Sequence, residues 1–176
     1  MHDMHLENVL GAVALSVTDL ALAGVTAAAG TSPRGAAALV VLSAAPGLSV
    51  TELGRRVGLS QPAAARMVDG LQQAGLLERR PTLIRSVAVH LTADGVTAAE
   101  TILGARGGPL SALTRTLRPD ERETLAGLLG KLLAGVYDQI HDAERVCRLC
   151  DRAACVAHEH ACPVTAARER AEAGDG

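Results

Sequence analysis

A chain of 176 residues with a single aromatic side chain, Tyr137, and neither Phe nor Trp must build its core from Leu, Val and Ala. Such side chains reach native packing density when they interlock in helical layers. Their spacing agrees: Leu6, Val9, Leu10, Val13, Val17 and Leu20 recur every three or four residues, which predicts a long first helix ending near Gly30. Thr31-Ser32-Pro33 is a cap-and-start signal for a second helix through Leu39 to Leu42, stopped at Pro46-Gly47. A short helix follows from about Val50 to Val57. Gly58-Leu59-Ser60 then forms a tight turn, Ser60 offers an N-cap, and the next helix runs to Ala74 before Gly75 ends it.

The period then changes. Leu76 to Arg80 leads into Pro81, expected to end the ladder, and Val87-Ala88-Val89-His90-Leu91 alternates as a strand does, so the two runs make a β-ribbon. Thr92 caps a long helix through Ile102, and Gly107-Gly108-Pro109 is expected to kink or break it. Pro119-Asp120-Glu121 opens a last long helix with an apolar stripe of Leu125, Leu128, Leu129, Leu132, Leu133, Val136 and Ile140. The fold class is therefore mainly α with a small β-ribbon.

The formal net charge is -2, yet its distribution is uneven. From Thr51 to His90 six arginines face three acids, while from Pro119 onward eleven acids face seven basic residues. A locally positive middle suits a protein that meets phosphate with one segment only. Sixteen arginines against one lysine fit a GC-rich genome and carry no functional weight alone. No uninterrupted apolar run reaches the ~18–20 residues of a membrane span, and Met1-His2-Asp3-Met4-His5 lacks the basic opening of a secretory signal, so a cytoplasmic protein without a membrane partner is expected. There is no nucleophile elbow, no phosphate-cradling glycine loop and no isolated carboxylate pair, which argues against an enzyme.

The segment TELGRRVGLSQPAAARMVDGLQQAGLLERR, followed by LTADG, resembles the MarR family of winged helix-turn-helix transcriptional regulators, and the likeness runs from about Leu6 to about His141. The resemblance implies a homodimer whose N- and C-terminal helices interlock and present two winged lobes to a palindromic operator on double-stranded DNA. A helix fits the ~12 Å major groove, and a two-fold dimer sets two such helices one DNA turn apart. Carried over by position, the resemblance places Ser60, Gln61, Ala65 and Arg66 where the recognition helix meets DNA, and Arg85 in the wing. Arg55 and Arg56 read as a solvated face or phosphate contacts. The sequence departs from the pattern at Ala63 and Ala65, where hydroxyl residues are usual, and in a shorter wing, Pro81 to Ser86, without the acidic-arginine loop. On this reading residues 1–45 hold the N-terminal helices, 46–92 the winged DNA-binding lobe and 93–145 the C-terminal dimerisation helices.

Residues 146–165 add something else: Cys147-x2-Cys150-x4-Cys155-x6-Cys162, with no other cysteine in the chain. So short a span cannot staple a core, but four thiolates can share one metal centre. A 4Fe-4S cluster is slightly favoured over Zn2+ by the Cys162-Pro163 ending and the lack of a glycine pair, and a thiol-disulfide switch is a third reading. Asp151, His158 and His160 could enter the site or stand behind it. Residues 166–176 read as a short helix fraying into a flexible tail.

The expected function is a DNA-binding repressor whose cysteine lobe senses redox state or iron and acts by repacking the dimerisation helix from which it extends. A repressor answering to a small-molecule effector, with zinc as a staple, is the alternative within regulation. A winged-helix protein-interaction module without DNA binding is the alternative outside it.

Overall fold

A computed structural model describes residues 4–82, 87–157 and 161–174. Helix α1 spans Met4–Ala29 and ends at Gly30, whose φ of +56° suits the residue without a Cβ. Then follow α2 (Pro33–Ala44), α3 (Val50–Arg56), α4 (Gln61–Gln73), strands β1 (Leu77–Pro81) and β2 (Val87–Leu91), α5 (Ala93–Thr114) and α6 (Pro119–Ile140). The short helices α7 (Ala143–Val146) and α8 (Arg152–Cys155) lead to α9 (Pro163–Gly174). The molecule is mainly helical with one two-stranded antiparallel sheet, as the apolar periodicity requires.

Three helix starts are closed by side-chain caps, two of them, Ser32 and Thr92, as the sequence indicates. The hydroxyls of Ser32, Ser49 and Thr92 accept from the amides of Gly35, Glu52 and Gly95 at 3.0–3.1 Å. The main core gathers the inner faces of α2, α3, α4, α5 and the ribbon around Leu39, Leu42, Leu53, Val68, Val89 and Ile102, each essentially inaccessible to water. Aliphatic side chains alone fill it, as the near-absence of aromatics demands. The ribbon pairs Leu77 with Leu91 and Arg79 with Val89, and Leu48 adds an isolated bridge to Val89, fastening the segment before α3 to the wing.

Pro81 ends β1 as expected, as its last paired residue opposite Val87, where the missing N–H costs no bond. Three expectations need correction. Gly107-Gly108-Pro109 lies within the unbroken α5, because Pro109 follows the first turns of a helix already fixed by packing along α1. Residues 166–174 are not a fraying tail: they belong to α9, which packs on α6 and buries Val164 and Ala167. Finally, α1 is long and apolar enough to cross a membrane by length and composition, because its few polar residues are diluted over 26 positions. It lies along α5, buries Val25 and leaves Leu6, Val9, Leu10, Val13 and Leu20 exposed. The stripe of α6 is also uncovered at Leu128, Leu129, Leu132, Leu133, Val136 and Ile140. Two apolar faces thus stand open on the helices expected to dimerise.

Candidate nucleic-acid interface and thiol lobe

Helices α3 and α4 cross closely at Gly54, where a Cβ would come within 2.6 Å of that of Ala64; the pair therefore moves as one body. The turn between them uses Gly58 at φ +70° and is latched by Arg34, whose guanidinium donates to the carbonyls of Val57 and Gly58 at 2.7 Å. Helix α4 buries Ala64, Val68 and Leu71 and turns its other face outward. Ser60, Gln61 and Arg66 are exposed and Ala65 is half-buried. Unlike the three capping hydroxyls above, which accept from their helices, that of Ser60 makes no capping bond to α4, so neither its O–H nor its oxygen is used by the cap. These four positions all lie on α4 or at its N-cap. Arg85 lies outside the described residues.

Two other basic positions are neutralised within the fold. Arg79 on β1 donates to Asp69 at 2.6 Å, tying the wing to α4, and Arg80 pairs with Glu78. Arg55 and Arg56 turn toward the C-terminal lobe. Arg55 donates to Asp142 at 2.7 Å and to Glu52, while Arg56 donates to Glu52 at 2.7 Å and to Glu144 at 3.2 Å. The two guanidinium groups hold the Glu52 carboxyl down to about 2. Sequence reading missed Asp142 and Glu144 as partners of α3, since eighty-seven and eighty-eight residues separate the pairs. Asp142 also caps α7 by accepting from the Arg145 amide at 3.0 Å.

All four cysteines line one cleft of about 260 Å³ between α7, α8 and α9, with Arg152 and Thr165 on its walls. Each is free and half-buried. The Cys150 thiol donates to the carbonyl of Asp151 at 3.8 Å. The neighbouring Cys150 holds Cys147 below the ordinary thiol range, while Cys147 and burial push Cys150 above it. Burial and the neighbouring sulfurs push Cys155 up to about 11. At Cys162 burial acts upward but is outweighed by hydrogen bonds from Thr165 and Val164 at the start of α9, which leave the thiol acidic. Among the described residues no group of three or more His, Cys, Asp or Glu side chains is arranged to hold a metal ion. Asp151 caps α8 through the Ala154 amide at 2.9 Å, whereas His158 and His160 lie outside the described residues.

Residues 29–82 match the MarR family model, spanning the end of α1 through β1. Over these residues the winged lobe is similar to the MarR family. A MarR family transcriptional regulator from Silicibacter pomeroyi is 28% identical, with 74% of this chain and 92% of that one covered at a TM-score of 0.58. The transcriptional repressor CouR, solved bound to a 23-mer DNA duplex, is 26% identical over 72% of this chain and 91% of that one at a TM-score of 0.58. The MarR family protein Rv2887 of Mycobacterium tuberculosis, solved with p-aminosalicylic acid, is 26% identical over 70% of this chain and 97% of that one at a TM-score of 0.54. No curated protein sequence matches. The Silicibacter pomeroyi protein and CouR are transcriptional regulators.

Proposed function

We propose that the protein is a dimeric, cytoplasmic DNA-binding repressor that reads a palindromic operator through α4 and the wing, and that its four-cysteine lobe carries a metal centre by which it senses redox state or iron. The observation that carries the DNA reading is the outward face of α4. Ser60 has a hydroxyl uncommitted to its own helix cap, and Gln61 and Arg66 are exposed. The likeness to CouR, a repressor of the same fold solved on a DNA duplex, supports the same reading. The open apolar faces of α1 and α6 are the surface that a second copy would cover.

Four thiols in one cleft support the metal reading, since two of them already favour the thiolate that a metal requires. Cys147, Cys150, Cys155 and Cys162 would hold a 4Fe-4S cluster, which supplies an oxidisable centre; the Cys162-Pro163 ending favours it. A single zinc ion is the second reading, since four thiols lining one cleft also suit one tetrahedral ion. In that case the lobe is a staple and a small-molecule effector controls binding.

The DNA reading is tested by selecting duplexes from a random pool and measuring affinity against salt. A steep fall with added salt and a loss of about 1–3 kcal/mol in Arg66→Ala are expected. Selection of no duplex would leave the winged helix as a protein-interaction module.

A further inference from the structure

The thiol lobe is held from two sides. On one side Tyr137 of α6 packs with Val164 and Ala167 of α9, and Cys147 and Cys162 lie against this small core. On the other side the lobe reaches the helix-turn-helix directly. Asp142 and Glu144 receive Arg55 and Arg56, Leu149 packs against the main core, and the Arg145 guanidinium lies against the turn at Gly58. Glu144 is shared, for it also binds Arg152, which lines the thiol cleft.

Isolated exposed ion pairs contribute little. This set differs because six side chains are linked in one network, Arg55, Arg56 and Glu52 on α3 with Asp142, Glu144 and Arg152 on the lobe. Arg56 and Glu144 are also only 18% and 22% exposed. Because α3 and α4 meet at the Gly54–Ala64 contact, whatever orients α3 orients the DNA-facing helix with it.

We propose that the thiol lobe positions the helix-turn-helix: Asp142 and Glu144 hold α3 through Arg55 and Arg56, so that α4 is presented to DNA at a fixed angle from α6. The inference rests on the DNA-binding reading above and gives the lobe a route to α4 within one subunit. Arg55 and Arg56 are on this view positioning residues and not phosphate contacts. Arg152 and Glu144 both line the thiol cleft, so a change of charge at the thiols acts on members of the network directly.

The double variant Asp142→Asn, Glu144→Gln separates the two roles by sign. The cap of α7 survives Asp142→Asn, because an amide oxygen can still accept from the Arg145 backbone N–H. If Arg55 and Arg56 touch phosphate, removing two acids frees them, and DNA affinity and the salt slope both rise. If they position α3, affinity for a duplex selected by the wild-type protein falls about fivefold with an unchanged salt slope. Hydrogen exchange in the free protein should then quicken at α3 while α5 keeps its protection. Affinity that is unchanged or raised would overturn the proposal. Should the wild-type protein select no duplex, the DNA reading fails by itself, and unchanged exchange at α3 would overturn the positioning role separately.

Discussion

The winged lobe and the thiol lobe rest on different chemistry. In the first, Leu39, Leu42, Leu53, Val68, Val89 and Ile102 are fully buried from five elements, and no polar side chain is among the buried residues described. In the second, the buried set shrinks to Tyr137, Val164 and Ala167, and much of what joins the lobe to its surroundings is ionic: Arg55–Asp142, Arg56–Glu144 and Arg152–Glu144. Hydrophobic burial is indifferent to redox state and nearly so to salt, whereas ion pairs and thiols answer to both. One region therefore supplies a fixed reading head and the other an adjustable mount.

The largest expected effect lies in the first region. Leu53→Ala should destabilise the winged lobe by about 2–5 kcal/mol and abolish DNA binding at elevated temperature, as read by thermal unfolding. An effect confined to the thiol lobe would break the comparison. Val164→Ala should cost less, about 1–2 kcal/mol, and limited proteolysis should then cut after residue 140 while the winged lobe resists.

The thiols sharpen the contrast chemically. In reduced, metal-free protein at pH 8, iodoacetamide should modify Cys147 well before Cys155, because one thiol lies below its ordinary range and the other stands at about 11. Equal rates, followed by mass spectrometry, would contradict the thiol geometry. The smallest effect concerns Glu52. Its carboxyl is depressed to about 2 in the folded chain against an ordinary 4.5, so its stabilisation is complete above pH 4.5 and disappears as the pH falls toward 2. The difference in urea midpoint between wild type and Glu52→Gln should shrink over that interval; a difference independent of pH would mean the carboxylate is not paired in solution.

Local signals in the sequence located most elements. Caps at Ser32 and Thr92, glycines at 30, 58 and 75, and the alternation from Val87 to Leu91 all act within a few residues, so the helix-turn-helix and ribbon were readable directly. The four cysteines announced a shared cleft in the same way. Tertiary contacts were not readable. Gly107-Gly108-Pro109 has the composition of a break, yet packing along α1 carries α5 through it. Asp142 and Glu144 look like an ordinary N-cap and first-turn acid of α7, and nothing nearby says that Arg55 and Arg56 will turn toward them. For α9 a signal existed: Pro163 opens it, and Val164 and Ala167 stand three residues apart on the face that docks on α6.

The most direct test joins the two regions in one sample. The protein would be purified without oxygen, its metal, sulfide and ultraviolet-visible spectrum measured, and its affinity for a selected duplex determined before and after removal of the metal, alongside Cys150→Ser. A stoichiometric centre, a change in affinity on its removal, and a Cys150→Ser variant that neither loads nor responds are the predicted result. A metal-free lobe, or an affinity that Cys150→Ser and metal removal leave untouched, would contradict a sensing role and leave the winged lobe to act without it.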